Sequence, residues 1–203
     1  LDYFIKSVVK ENKVLILTSF NPNSGKTFIS MNLAKVVSLK NQKVIMVDLD
    51  LRKASLSKSV NSPHKGVSGY LSGFEEDFHS AIISDSVGKN VDILPVGVLP
   101  PNPSEILQNE RLPKLFAALR EEYDLILVDC PPIDVVADAN IVAKEVDITL
   151  FVVRAGLMNR ESLKDVDQLA EEGTFKRMAL LLNGTRYVSS RYGNYRYGYS
   201  YGY

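Results

Sequence analysis

The chain has 203 residues and is 45% hydrophobic, which is enough for one well-buried core. It is too short for two ordinary catalytic domains. Its 24 basic and 24 acidic residues cancel, so the overall charge favours neither nucleic acid nor an anionic membrane as partner. One cysteine excludes a disulfide framework, and two histidines cannot form an ordinary zinc site. The single cysteine also fits the reducing cytosol. Without a signal-peptide pattern or an apolar run of roughly 18 to 20 residues, we expect a soluble chain, which could still be one piece of a larger membrane protein.

Short apolar runs alternate with helical segments along the chain. The predicted strands cover residues 14–18, 43–47, 91–96, 125–128, 148–153 and 178–182. These runs lack polar alternation, which suits a parallel sheet covered on both faces. Helical spacing of apolar residues occurs over 27–40 and 160–171, whereas 51–90 and 99–104 are predicted to be surface loops with short helices. The predicted fold is a doubly wound, mostly parallel α/β sheet.

The composition changes abruptly after Asn183. Seven tyrosines follow among Gly, Ser, Asn and Arg residues, namely Tyr187, Tyr192, Tyr195, Tyr197, Tyr199, Tyr201 and Tyr203. Val188 is the only aliphatic residue in this segment, so we expect a disordered tail over 187–203 after a domain that covers 1–186. Arginine and tyrosine together would also suit stacking on single-stranded nucleic acid. Since the rest of the chain has no basic stripe, we expect no nucleic-acid partner.

A candidate phosphate-binding loop follows the first predicted strand and opens a helical pattern. In such a loop, backbone N–H groups and the helix N-terminus direct positive charge at phosphate groups. Lys26 is predicted to reach the β and γ phosphates, and the Thr27 hydroxyl to ligate magnesium. Phe20 replaces the usual first glycine, so a chance match remains the alternative. The predicted nucleotide-binding residues are Asn23, Ser24, Gly25, Lys26, Thr27 and Phe28.

Carboxylates follow two of the predicted buried strands. Asp48 and Asp50 come at the end of the second strand, and Asp129 ends a later one. Ligands bind at the carboxyl ends of the strands in an open parallel sheet, so we expect all three beside the phosphate loop. There they would support magnesium or accept a proton from a nucleophile. For any one of them, the alternative is a helix cap or a turn.

These motifs together resemble the bacterial tyrosine kinases, which are the cytoplasmic domains of capsule and exopolysaccharide chain-length regulators. The resemblance covers nearly the whole chain. It is carried by the loop Pro22 to Thr27, the Asp-x-Asp-x-Arg segment of Asp48, Asp50 and Arg52, the Pro-rich loop 100–105, the Asp-x-Pro-Pro segment at Asp129, and the tyrosine cluster. The family's Glu-x-x-Arg-x-x-Arg helix, which joins subunits in relatives, would belong upstream of Leu1.

The resemblance implies that the γ-phosphoryl group of MgATP is transferred to the tail tyrosines, largely between molecules. It makes Lys26 a stabiliser of phosphate charge and Asp48 the proton acceptor, while Arg52 stabilises charge either on the phosphates or at a contact between subunits. Thr27, Asp48 and Asp129 are the implied metal ligands, with support from Asp50. Asn183 is the implied adenine contact, and its alternative is a turn former before Gly184. The implied partners are further copies of the chain, a cognate tyrosine phosphatase and the membrane machinery that exports polysaccharide. The implied location is the cytosolic side of an inner-membrane protein.

Two other functions use the same loop and carboxylates. A nucleotide-switched localisation ATPase would hydrolyse ATP to change partners, and a regulatory module would only bind ATP. The related partitioning and positioning ATPases carry a signature lysine five residues before the loop lysine. Asn21 occupies that position here, which argues against their mode of action.

Overall fold

The computed structural model describes residues 13–133 and 138–185, which form a seven-stranded sheet flanked by helices. The strands are β1 (Val14–Thr18), β2 (Val44–Asp48), β3 (Ile83–Gly88), β4 (Val91–Leu94), β5 (Leu125–Asp129), β6 (Ile148–Arg154) and β7 (Met178–Asn183). The α-helices are α1 (Lys26–Ser38), α2 (Ser55–Lys58), α3 (Val67–Leu71), α4 (Pro103–Leu107), α5 (Arg111–Glu122), α6 (Asp138–Val142) and α7 (Leu163–Glu171), with 3₁₀ turns at His79–Ala81 and Ala143–Glu145. The predicted tail lies outside the described residues.

The sheet has the strand order β3-β4-β2-β5-β1-β6-β7. Every neighbouring pair is parallel except β3 and β4, which run antiparallel. The helices lie in the crossovers between parallel strands. Such a crossover must carry the chain from the end of one strand back to the opposite edge of the sheet, where the next strand begins. The predicted mostly parallel, doubly wound sheet is therefore confirmed.

Strand β3 was not predicted, because it falls within the stretch that the sequence assigns to loops. Its side chains are exposed or half-buried, so it lacks the continuous apolar run that marks the central strands. Its pairing with β4 is irregular between Ile83 and Gly88, and Asp85 has a left-handed φ of 52°. An exposed, interrupted edge strand has little periodic signal in its sequence.

Both faces of the sheet are covered by apolar side chains. Alternate residues of a strand point to opposite faces, so Ile16 and Ile126 pack in one layer while Leu17 and Leu127 pack in the other. Helix α5 adds its buried side chains to the first layer, and α1 adds its own to the second. The continuous apolar runs in the sequence reflect this two-sided burial.

The parallel register gathers several chain segments at one edge of the sheet. Asp48 at the end of β2 lies opposite Asp129 at the end of β5, and Leu17 of β1 lies opposite Asp129 on the other side. The segments that follow β1, β2 and β5 therefore leave the sheet side by side. Within 13–133 and 138–185, no helix combines the length and hydropathy that a membrane span requires.

Candidate nucleotide-binding site

The loop between β1 and α1 is folded tightly by its own side chains. The hydroxyls of Ser19 and Ser24 each donate a hydrogen bond of 2.8 Å to the carbonyl oxygen of Asn21. Asn23 has a φ of 61° and Gly25 a φ of 94°, both in the left-handed region. The loop thus turns back on itself and delivers the chain to the first residue of α1.

Gly25 is required by its surroundings as well as by its backbone angle. A Cβ at this position would lie 2.4 Å from Nδ2 of Asn183, closer than real side-chain contacts allow. The φ of 94° would also strain any residue with a side chain. Glycine therefore lets the Asn183 amide pack closely against the loop beside the helix N-terminus, where the first N–H groups of α1 lack intrahelical partners.

Two side chains from neighbouring strands hold the loop from outside. Nη1 of Arg154, at the end of β6, donates a hydrogen bond of 2.6 Å to the carbonyl of Asn23. Nδ2 of Asn183, at the end of β7, donates one of 2.8 Å to the carbonyl of Ser24. These bonds fix two consecutive loop carbonyls. Sequence reasoning missed Arg154, although a cation directly after a buried strand at this edge could have drawn attention to it.

A cavity of about 290 Å³ opens above the loop. Its lining includes residues 22–28 from the loop and α1, Asp50, Lys53 and Ser55 after β2, Asp129 and Pro132 after β5, and Arg154. The structure thus brings the predicted residues Asn23 to Phe28 together with Asp50 and Asp129. Lys53 and Ser55 were not among the predicted site residues. Asp48, Arg52 and Asn183 do not line this cavity.

Lys26 projects from the start of α1 into this site. Its Nζ donates a hydrogen bond of 3.2 Å to the Ser19 hydroxyl. Burial is the main cause that lowers the pKa of Lys26, and the negative charges of Asp129 and Asp50 act in the opposite direction. Within 13–133 and 138–185 no carboxylate forms a salt bridge with this half-buried ammonium, so its charge is available to an anionic ligand.

Asp129 is joined directly to the loop helix. Its Oδ2 accepts a hydrogen bond of 2.6 Å from the Thr27 hydroxyl, and its side chain is buried. Burial raises the pKa of Asp129 to about 6, against the opposing effects of the Thr27 bond and the Lys26 charge. The paired oxygens of Thr27 and Asp129 are hard donors of the kind that magnesium prefers.

Asp48 lies behind the cavity wall and is fully buried. Its Oδ2 accepts hydrogen bonds of 2.7 Å from both the backbone N–H and the hydroxyl of Ser57, and its Oδ1 accepts one of 3.2 Å from the Asp50 N–H. Burial first, and the charge of Asp129 second, raise the pKa of Asp48 to about 7. Ser57, which sequence reasoning missed, thus anchors the first aspartate of the motif.

Arg52 faces away from the predicted phosphate contacts. Its Nε donates a hydrogen bond of 2.9 Å to Asp138, and its Nη2 donates one of 3.1 Å to the Ser104 hydroxyl. Asp138 is buried at the start of α6, and Ser104 belongs to the Pro-rich segment. In this structure Arg52 connects the turn after β2 to these two elements and does not line the cavity where the phosphates are expected.

The residues around the cavity fit a magnesium-bound nucleotide. Gly25 lines the cavity at the start of α1, Lys26 supplies positive charge, and Thr27 with Asp129 supplies oxygen donors. The described residues contain no group of three or more His, Cys, Asp or Glu side chains in metal-ligating positions. Magnesium bound to nucleotides usually takes one or two protein oxygens and completes its shell with phosphates and water. The fold and this site define a P-loop nucleotide-binding domain.

Comparisons with known proteins narrow the class. A family model described as "AAA domain" (AAA_31) matches residues 12–170. Tyrosine-protein kinase CpsD of Streptococcus agalactiae is 32% identical over 188 residues, which are 92% of this chain and 81% of that protein. Tyrosine-protein kinase etk of Escherichia coli K12 is 36% identical over 176 residues, 86% of this chain and 24% of that one. The chain belongs to this bacterial tyrosine-protein kinase family of P-loop proteins, which confirms the resemblance.

Solved structures agree with this assignment. The kinase domain of Escherichia coli tyrosine kinase ETK superposes with a TM-score of 0.83 at 33% identity. The match covers 99% of this chain and 76% of the ETK chain. The septum site-determining protein MinD of Pyrococcus horikoshii, solved with Mg-ADP, has a TM-score of 0.69 at 24% identity over 88% of this chain and 72% of that one. The likeness to MinD is one of fold. The chain spans 24% of the length of etk.

We predict that replacing Asp129 by Asn removes a pH-dependent part of the stability. The folded pKa of about 6 exceeds the ordinary 3.8, so the folded state keeps a proton that the unfolded state has released, and the free energy of unfolding falls as pH rises through this range. Relative to wild type, Asp129→Asn should therefore gain about 1 to 3 kcal/mol between pH 4 and pH 7.5.

Urea unfolding without nucleotide or metal at the two pH values measures this difference. Glu121→Gln, a change at an exposed carboxylate of α5, is the control and should show no comparable gain. A constant difference between Asp129→Asn and wild type at both pH values would contradict the buried, proton-retaining carboxyl.

Proposed function

We propose that this domain is an ATP-dependent protein-tyrosine kinase that phosphorylates the tyrosines of its own tail. The observation that carries the proposal is the single cavity shared by Lys26, Asp50 and Asp129 above the P-loop. Membership in the tyrosine-protein kinase family supports tyrosine as the acceptor. The tail tyrosines lie outside the described residues, so the division into a domain over 1–186 and a tail over 187–203 is part of this proposal.

ATP and magnesium are the proposed cofactors. The loop backbone over 23–28 would hold the phosphates, with Lys26 against the β and γ groups, and Asn183 would contact the adenine. Thr27 and Asp129 would hold the magnesium ion, supported by Asp48 and Asp50. When bound, magnesium neutralises charge on the β and γ phosphates.

The proposed reaction is an in-line phosphoryl transfer. The tyrosine oxygen forms a bond to the γ phosphorus while the bond from that phosphorus to the bridging oxygen of the β phosphate breaks, and ADP leaves with the bonding electrons. The hydroxyl proton passes to a carboxylate of the protein. Tyrosine has an ordinary pKa near 10, and the transition state is loose, so the carboxylate mainly orients the hydroxyl and accepts the proton late.

We propose Asp48 as that proton acceptor. Its pKa of about 7 is well matched to proton transfer near neutral pH. Among the described residues, the Asp50 N–H is the only donor to its Oδ1, at 3.2 Å. Because the carboxylate is buried, the adjoining turn must move before a tyrosine can reach it. Asp50 already lines the cavity and is the next candidate.

The biological setting is proposed from relatives. One of them, a putative tyrosine-protein kinase in the cps region of Klebsiella pneumoniae, is 40% identical over 144 residues. We propose that the domain acts on the cytosolic side of an inner-membrane protein and regulates export or assembly of a surface polysaccharide. A cognate tyrosine phosphatase would reverse the modification.

Lys26→Met should abolish tail phosphorylation and sharply weaken ATP binding, because it removes the charge that faces the β and γ phosphates. Folding should survive, since burial already opposes the Lys26 charge. Mass spectrometry of the tail, assay of phosphate released to solution, and thermal unfolding test this. Lys35→Met, an exposed change on the same helix, is the control. Normal phosphotyrosine formation by Lys26→Met would refute the site, and phosphate release without phosphotyrosine would indicate a switching ATPase.

Asp48→Asn should retain most of the affinity for MgATP and lose phosphotyrosine formation, because the nearly isosteric amide cannot accept the proton. Asp124→Asn removes a carboxylate that caps the Lys43 N–H at the opposite end of the sheet and should leave catalysis intact. Calorimetry and phosphotyrosine assays on both variants, together with Asp50→Asn, give the comparison. Wild-type transfer by Asp48→Asn combined with loss in Asp50→Asn would move the base to Asp50.

Transfer should take place between molecules. β7 ends beside the phosphate loop, so the first tail residues have little slack to turn back into their own site. The segment 186–203 carries three arginines and no acid, about +3 in charge, and each phosphate adds about −1.5 to −2, so full modification reverses its sign. An unmodified tail should be attracted to a neighbour's carboxylates and a modified one repelled.

Mixing a Lys26→Met chain with an active chain that lacks 187–203 tests this directly. Phosphotyrosine should appear on the inactive chain and rise with protein concentration. Light scattering before and after phosphorylation should show smaller assemblies afterwards. An inactive chain that stays unmodified at high concentration would disprove transfer between molecules, and unchanged size would disprove the charge-driven release.

A further inference from the structure

Two consecutive cations follow Asp50, and the structure uses them differently. Arg52 is bound to Asp138 and Ser104 and does not line the phosphate cavity. Lys53 lines the cavity, and its side chain makes no hydrogen bond or ion pair with any residue in 13–133 or 138–185. Of the two, Lys53 is therefore the one whose charge is available to a ligand.

The position of Lys53 is held by the turn itself. The Asp50 Oδ1 accepts hydrogen bonds from the backbone N–H groups of Arg52 at 3.3 Å and Lys53 at 3.0 Å. The Ala54 N–H donates to the Asp50 carbonyl at 2.8 Å, and Ala54 has a left-handed φ of 49°. These bonds fix the backbone of Lys53 at the cavity wall and leave its side chain free to move.

The charges around the cavity also point to Lys53. Residues 19–25 of the loop carry no charge, so Lys26 is the only cation that the loop and the first helical position contribute. After burial, which is the main cause, the charge of Lys53 also contributes to lowering the pKa of Lys26. The two ammonium groups thus act on the same space. Arg154, the third cation of the lining, donates to the Asn23 carbonyl.

We propose that Lys53 is a further catalytic residue, which contacts the terminal phosphate of the bound nucleotide in the same chain. This inference rests on the proposed binding of MgATP. Negative charge builds up on the γ phosphoryl oxygens and on the bridging oxygen as the bond to the β phosphate breaks. An ammonium group beside these oxygens stabilises them electrostatically, without accepting a proton or forming a covalent bond.

Binding measurements distinguish this role from a general effect of surface charge. Calorimetric titrations with MgATP and MgADP would compare wild type, Lys53→Met, Lys53→Arg and the control Lys58→Met, which removes an exposed cation from α2. Losing a charge-assisted phosphate contact should weaken MgATP binding by Lys53→Met about 10- to 100-fold. MgADP, which lacks the terminal phosphate, should lose much less. Lys53→Arg should restore most of the preference for MgATP, and Lys58→Met should match wild type.

A mixture of two defective chains tests whether Lys53 acts within its own chain. Lys26→Met retains Lys53, and Lys53→Met retains Lys26, so a lysine supplied by a neighbour would restore phosphotyrosine formation when the two chains are combined. We expect the mixture to show only the sum of the two separate activities. Recovery toward the wild-type rate would overturn action within one chain.

The outcomes separate this inference from the function on which it rests. If wild type binds no MgATP, the proposed function fails and the role of Lys53 fails with it. If wild type binds MgATP and Lys53→Met equals Lys58→Met in both affinity and phosphotyrosine formation, the function stands and the role of Lys53 is wrong.

Discussion

The parallel register of β2 and β5 is the constraint on which the site depends. It places Asp48 directly opposite Asp129 at the carboxyl edge of a sheet whose two faces are sealed by apolar side chains. Two carboxylates in such surroundings are desolvated and repel each other, so each needs its own donor. Thr27 serves Asp129, and Ser57 serves Asp48. The loop helix and the turn after β2 are therefore bound to the same pair of strand ends.

Burying these charged groups costs electrostatic free energy in the folded protein. Both buried carboxylates keep their protons to higher pH than a solvated aspartate, and Lys26 is partly desolvated beside them. The apolar layers on both faces of the sheet supply the stability that tolerates such a site. A ligand that brings both phosphate and a divalent cation would offset charges of either sign, and a ligand that binds only the folded state stabilises that state.

The far edge of the sheet connects the phosphate loop to the segment that leads into the tail. Asn183 donates to the loop carbonyl of Ser24, while its own Oδ1 accepts the N–H of Gly184. Arg154 holds the preceding loop carbonyl, and its side chain lies 3.4 Å from the position of a Cβ at Gly184. The end of β7 is thus anchored to the loop that would bind phosphate.

The amino-acid sequence by itself determined the elements that depend on local pattern. The continuous apolar runs of the central strands and the Gly25-Lys26-Thr27 turn are properties of neighbouring residues, and a parallel sheet then requires Asp50 and Asp129 to share an edge with the loop. Only the tertiary structure decided which side chains face the cavity. Arg52 and Lys53 are adjacent cations of similar appearance in the sequence. Asp138, 86 residues away, binds Arg52, whereas Lys53 lines the cavity. Such selection depends on contacts between distant segments, and those contacts form only when the strands pair.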